Sequence, residues 1–553
     1  MRRFYLAITA AIATSAVFAC NGSGDTTSGG ATGSTGGASA GSGGGGAAGR
    51  GGRGPDDGGT SGNGGASGSG GASGSSGAGG KGGTGGASGS GGAAGKGGAS
   101  GSSGASGSGG ASGSGASGSS GASGSAGASG SGGASGGGAG GGDGGGGSSG
   151  DSCANVPSTA LVSAWTADAH FCLIRYATGV SRARQIGFAP NGDLFVATAS
   201  GQVIVLYDTN GNGVSDTGER STFASVTGGN HGLAVTPTHV YASSATTIYR
   251  WTYMAGQRTA TGTAETVVQN LPGGGGHVSR TLLIDGLNRL YVNIGSAGNV
   301  DPPAGPTAPP ATRALIRRFN LANIPSGGYQ ASAGELFASG LRNEVGLALD
   351  AQGRIWGVEN GRDDLRAGGD TAMYNDNPGE EVNLFDPAQP GRNYGYPFCW
   401  SEGVWTGGTA KGPGTQHLDP DQPGGFTEAS CQDPNVVVPP AFVMGAHLAP
   451  LDVVEYGGTA YPAEFRGNLF ATSHGSWNRD TMRGHVGRLI VRLRMGSNGM
   501  PTQADNFLGE LSGGVLRQGS WAVRPVSIRV DAAGLLTFSD DASGTVHKIG
   551  YRP

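Results

Sequence analysis

The most self-contained chemical signal in the chain is a twelve-residue stretch, Asp208-Thr209-Asn210-Gly211-Asn212-Gly213-Val214-Ser215-Asp216-Thr217-Gly218-Glu219. Asp208, Asn210, Asn212 and Glu219 occupy positions 1, 3, 5 and 12 of an EF-hand-type calcium loop, with Gly213 at its sharp turn. A hard cation prefers such an all-oxygen set. The flanks read as strand and loop rather than two helices, so the expectation is a structural calcium, with a plain polar hairpin as the alternative. Four cysteines fall into two local pairs, Cys153 with Cys172 and Cys399 with Cys431. In an oxidising compartment they would form disulfides, and neighbour pairing is one of three possible connectivities. Neither pair has the CxxC spacing of a zinc site.

Four further segments carry polar groups in a fixed order. They are Gly275-Gly276-His277-Val278-Ser279-Arg280; Gly340-Leu341-Arg342-Asn343-Glu344-Val345-Gly346; Glu380-Glu381-Val382-Asn383-Leu384 with Gly391-Arg392-Asn393-Tyr394-Gly395-Tyr396-Pro397; and His474-Gly475-Ser476-Trp477-Asn478-Arg479. In this order the chain resembles the soluble glucose/sorbosone dehydrogenases that use pyrroloquinoline quinone (PQQ) and calcium.

The resemblance implies roles for particular residues. His277 matches the histidine that takes the hydroxyl proton from the sugar C1 as hydride passes to the quinone, work suited to an imidazole titrating near neutrality. Arg342 and Asn343 match the pair that contacts the quinone oxygens, and a guanidinium suits planar oxygen recognition. Arg524 matches an arginine on a cofactor carboxylate. The backbone carbonyls of Gly361 and Arg362, with Glu380 and Glu381 nearby, match the setting of the cofactor calcium.

The pattern also departs from the glucose-oxidising branch and lies closer to the sorbosone type. An aspartate before the catalytic histidine is Gly276 here, and Asn230 stands where a glutamine faces the site. A second arginine is Ala522, and a cofactor-binding lysine falls near His474. The sugar therefore need not be glucose.

Elements able to position these groups repeat along the chain. An apolar strand, a turn with Gly, Asn or Asp, and a second apolar strand recur from Ile186 to Val196 and from Gly232 to Tyr241. Further copies begin near Thr281, Gly346, Leu451 and Val526. Six copies without a long amphipathic helix between them predict an all-β, six-bladed β-propeller over 151–553, its site at the central channel. Two spans rich in Pro, Gly and Asp, from Asp301 to Arg313 and from Gly361 to Trp400, are expected to be loops on that face.

Residues 1–20 join Arg2 and Arg3 to a short apolar run ending Val17-Phe18-Ala19-Cys20, the form of a lipoprotein signal with Cys20 as the lipidation site. An ordinary secretory signal is the alternative. Residues 21–150 are nearly all Gly, Ser, Ala and Thr and cannot bury a core, so they predict a disordered tether with a root-mean-square span of about 60 Å. A net charge of -4 without basic clusters disfavours nucleic acid as a partner.

The first expectation is thus an exported, lipid-anchored quinoprotein at the cell envelope that oxidises an aldose or related sugar aldehyde and passes electrons to an external acceptor. The membrane is met only through the anchor. A calcium-dependent lactonase-like hydrolase and a non-catalytic carbohydrate-binding propeller are the alternatives.

Overall fold

The computed structural model describes residues 150–553, apart from 155, 164, 166–167, 367–372, 423, 477, 481–482 and 513–514. The expected signal, Cys20 and the tether up to 149 lie outside the described residues, as does Trp477.

Strands of two to eight residues, the inner ones largely apolar, give six blades of antiparallel strands. Blade one runs Ala183–Phe188, Leu194–Thr198, Gln202–Leu206 and Arg220–Ser225; blade two, Gly229–Val235, His239–Ser244, Ile248–Thr252 and Glu265–Gln269. Blade three runs Leu282–Ile284, Arg289–Ile294, Leu315–Asn320 and Glu335–Ser339; blade four, Glu344–Leu349, Ile355–Glu359, Glu380–Phe385 and Phe442–Met444. Blade five is Pro450–Glu455, Leu469–Ser473, Leu489–Met495 and Pro501–Leu508. Blade six takes Pro525–Val530, Leu536–Asp540 and Thr545–Tyr551 from the end of the chain, and its outer strands, Phe171–Ala177 and Leu161–Val162, from the beginning. The ring is closed by pairing the two ends of the domain.

An apolar cluster fills each seam between blades. Phe223 meets Trp251 between blades one and two, Phe337 meets Phe385 between three and four, and Phe470, Trp521 and Phe538 share the cluster between five and six. Nearer the axis the first strands are also tied together by polar groups. Gln185 accepts from Leu233 N–H at 2.9 Å, Ser527 Oγ accepts from Ile186 N–H at 3.2 Å, and Thr472 donates to Val526 O at 2.8 Å. The approach is close enough to demand glycine at Gly232, where a Cβ would lie 2.0 Å from Arg280 O.

All six repeats read from the sequence fall on first and second strands. One expectation needs correction. The span from Gly361 to Trp400 is not all loop, because Glu380–Phe385 is the buried third strand of blade four and Arg392–Asn393 adds in parallel to blade three. The apolar alternation there is hidden by buried glutamates and asparagine. Both cysteine pairs are disulfides, Cys153–Cys172 and Cys399–Cys431. No helix among the described residues is long and apolar enough to cross a membrane.

Candidate active site

In blades one, four, five and six the first strand begins where the second ends: Ala183 pairs with Thr198, Glu344 with Glu359, Pro450 with Ser473 and Pro525 with Asp540. Side chains at these ends share one mouth of the propeller. They form two groups of hydrogen-bonded residues.

The first group surrounds His277. Its Nδ1 lies 3.0 Å from Ser296 O and 2.9 Å from Ser296 Oγ, and that hydroxyl donates to Gly298 O at 2.7 Å. Nδ1 is therefore the protonated nitrogen, and Nε2 keeps its lone pair. Burial and then the nearby Arg342 charge lower the imidazole pKa to about 4, so the ring is neutral at ordinary pH. The loop that presents it is clamped by Arg280, which donates to the carbonyls of Pro272, His277, Ser279 and Ala245.

Arg342 is buried. Its Nε and Nη2 donate to Asn299 O and Oδ1 at 3.0 and 3.1 Å, Nη1 to Asn360 O at 3.2 Å, and Nη2 to Asp363 Oδ2 at 3.0 Å. Asn478 donates to the other Asp363 oxygen. Asn343 Oδ1 is buried without a hydrogen-bond partner, as is Asn230 Oδ1, while Asn230 Nδ2 donates to Val278 O at 3.2 Å. Unpaired buried acceptors of this kind are costly unless a ligand or water meets them.

The second group links blades one, two, five and six. Arg184 Nε donates to His231 Nδ1 at 3.2 Å, and Arg184 Nη1 to Asp541 Oδ2 at 2.7 Å. Asp541 Oδ1 lies 2.9 Å from His474 Nε2, and Arg524 Nη2 donates to His474 Nδ1 at 2.8 Å. A guanidinium can only donate, so both rings accept at Nδ1 and are neutral, and His474 Nε2–H donates to Asp541. Burial and then the Arg184 charge hold His231 well below the usual histidine range. Against the upward push of burial, the His474 bond and neighbouring positive charges hold Asp541 far below the ordinary carboxylate range. These five side chains together carry one uncompensated positive charge, a setting that favours an anion.

The proposed calcium residues are divided. Glu380 lies beside Gly361, accepting its N–H at 2.8 Å and that of Ala449 at 3.2 Å, and burial raises its pKa to about 8. Glu381, next on the strand, points to the opposite face, where it meets Ser401, Gln416 and Asn383. The Arg362 side chain turns away to a two-pronged pair with Asp419 at 2.7 and 2.6 Å. In the 208–219 loop, Asp208 accepts from the N–H groups of Gly211, Asn212 and Gly213, and Glu219 from those of Thr209, Asn210 and Asp216. The loop joins the two outer strands of blade one. Among the described residues no group of three or more His, Cys, Asp or Glu is arranged to hold a metal.

The TrAA12-like family matches residues 165–551. A PQQ-dependent sugar dehydrogenase of Hypocrea jecorina is 34% identical over 395 residues, covering 67% of this chain and 85% of that protein. The chain belongs to this family of PQQ-dependent sugar dehydrogenases. A PQQ-dependent pyranose dehydrogenase of Coprinopsis cinerea is 33% identical over 273 residues, 46% of this chain and 35% of that longer protein. Among solved structures, a Trichoderma reesei member of carbohydrate-active enzyme family AA12 is 32% identical, with a TM-score of 0.62 over 70% of this chain and 98% of that one. The PQQ domain of the Coprinopsis enzyme, in its holo form, is 27% identical, with a TM-score of 0.61 over 70% and 97% of the two chains. A sorbosone-type branch is not singled out by these relatives.

Sequence reasoning missed Arg184, His231 and Asp541 in the second group, and Asn299 and Asp363 in the first. Arg184 and His231 lie inside first strands and Asp541 directly follows a second strand, while Asn299 and Asp363 lie in the loops after the second strands of blades three and four.

Proposed function

We propose that the propeller is a quinoprotein oxidoreductase that oxidises an aldose or related sugar aldehyde with PQQ. The observation that carries this reading is the pairing of a neutral imidazole, free at Nε2, with a separate cationic group at the same mouth. His277 Nε2 accepts the hydroxyl proton from the sugar C1. Ser296 fixes the ring, and Arg280 fixes the loop that bears it. Arg184 and Arg524 would hold the cofactor's carboxylates, His474 orienting the Arg524 guanidinium, and Arg342 with Asn343 and Asn230 would meet its oxygens and the sugar. Bound PQQ would supply the two-electron acceptor for the C1 hydride, the electrons then passing to an external acceptor.

Calcium fits best between the Gly361 and Arg362 carbonyls and Glu380, whose buried carboxyl lacks a cationic side chain of its own; Glu381 then supports the strand from its other face. The 208–219 loop would hold a second, structural calcium through Asp208, Asn210, Asn212 and Glu219. Export and a lipid anchor at Cys20, with residues 21–150 as tether, agree with the two disulfides.

The test is dye reduction by the purified chain loaded with PQQ and calcium, assayed over a panel of aldoses. Turnover that requires PQQ and a sugar supports the proposal. Hydrolysis of a lactone by the PQQ-free protein would instead favour the hydrolase reading, which needs carboxylates grouped on a channel metal.

A further inference from the structure

One cavity lies away from the axial mouth, at the seam where the chain's beginning closes the ring. It has a volume of about 230 Å³ and is walled by the turn Pro157–Ala160, the blade-six strand from Arg175 to Thr178, and the segment from Val214 to Arg220 that enters blade one's outer strand. Two arginines line it, Arg175 and Arg220. Arg220 Nε is buried with no hydrogen-bond partner, and Arg175 makes one long bond, 3.5 Å, to Leu161 O. Neither forms an ion pair among the described residues. The acid in the lining, Asp216, is already engaged at Oδ2 by the amides of Asn210 and Asn212, each at 3.0 Å.

A buried guanidinium N–H without an acceptor costs free energy, and two arginines facing one cavity repel each other unless an anion lies between them. Thr159, Thr178 and Thr217 add hydroxyl groups to the same wall. We propose that this seam is a second ligand site, taking a small oxyanion such as a phosphate or the carboxylate of a polyhydroxy acid through Arg175 and Arg220. Its walls are outer strands, whereas the axial groups stand on first and second strands, so the two sites fill independently. An occupant would join the N-terminal segment to blade one and strengthen the ring at its closure.

Isothermal titration of the full chain with its axial mouth filled by PQQ, using inorganic phosphate and separately gluconate, tests this and separates the two sources. Saturable uptake of one ion per chain is expected for at least one of them. Arg220→Gln and Arg175→Gln should each weaken it tenfold or more, and Arg524→Gln, at the axial mouth, should leave it unchanged. Absence of saturable uptake, uptake that survives both groove substitutions, or uptake lost only with Arg524→Gln overturns the proposal. Arg175 is exposed on its strand, so its variant keeps the test valid should Arg220→Gln fail to fold.

Discussion

His277 and Arg342 are held by one residue between them: Ser296 donates its N–H to Arg342 O at 2.8 Å, while its carbonyl and hydroxyl oxygens receive His277 Nδ1 at 3.0 and 2.9 Å. The imidazole is thereby fixed to the strand end that carries the guanidinium. Burial, and then the same guanidinium charge, keep the ring unprotonated.

His277→Ala should remove turnover by at least a hundredfold while leaving cofactor uptake nearly intact, as measured by steady-state kinetics beside equilibrium binding. In the parent protein kcat/KM should be level above about pH 5 and fall as pH drops through about 4, because protonation removes the Nε2 lone pair. An acid limb centred near 6.5 would show that Arg342 and burial do not act on this ring.

Gly295 sets how closely two site residues approach. A Cβ there would lie 2.5 Å from Asn343 Oδ1 and 2.7 Å from His277 Cβ. Gly295→Ala should therefore push both side chains apart and lower kcat/KM by tenfold or more, with the thermal midpoint reduced by only a few degrees. Loss of cooperative unfolding instead would mark Gly295 as a folding residue.

Asp541 joins Arg184 to His474, so Asp541→Asn should weaken PQQ binding at least tenfold and destabilise the propeller by about 3 kcal/mol, the scale of a broken buried pair. Its folded-state pKa is depressed, so the stabilisation is present above about pH 4 and is lost as pH falls toward the folded value. Chemical denaturation of parent and variant at pH 7 and pH 3 measures this; an equal gap at both values would contradict it.

Chelation tests the calcium assignment. Treatment with a chelator should lower both PQQ affinity and the thermal midpoint, and added calcium should restore both. Asp208→Ala should abolish part of the midpoint shift but none of the change in affinity. A chelator without effect on either would remove calcium from the account.

The sequence made the six repeats legible because first and second strands are buried on both faces and read as apolar runs with a turn between them. Blade six was harder: Phe171–Ala177 pairs with Thr545–Tyr551 at the other end of the domain, bringing Leu161–Val162 with it, and local pattern carries no pairing information across that distance. His277, Arg342, Asn343, His474 and Arg524 stood out in the sequence through their motifs, and the structure places them in the two hydrogen-bonded groups or beside them. Arg184 and His231 did not stand out, because each is a polar residue inside an otherwise ordinary first strand. Glu380 and Glu381 read as an acidic pair, but neighbours on a strand point to opposite faces, so only one stands at the mouth.

Equilibrium titration of the calcium-loaded chain with PQQ, followed by the change in protein fluorescence, bears most directly on the central claim. The account predicts uptake of one PQQ per chain, weakened tenfold or more in Arg184→Gln and Arg524→Gln and retained in His277→Ala. No saturable uptake, or uptake indifferent to both arginines, would contradict it.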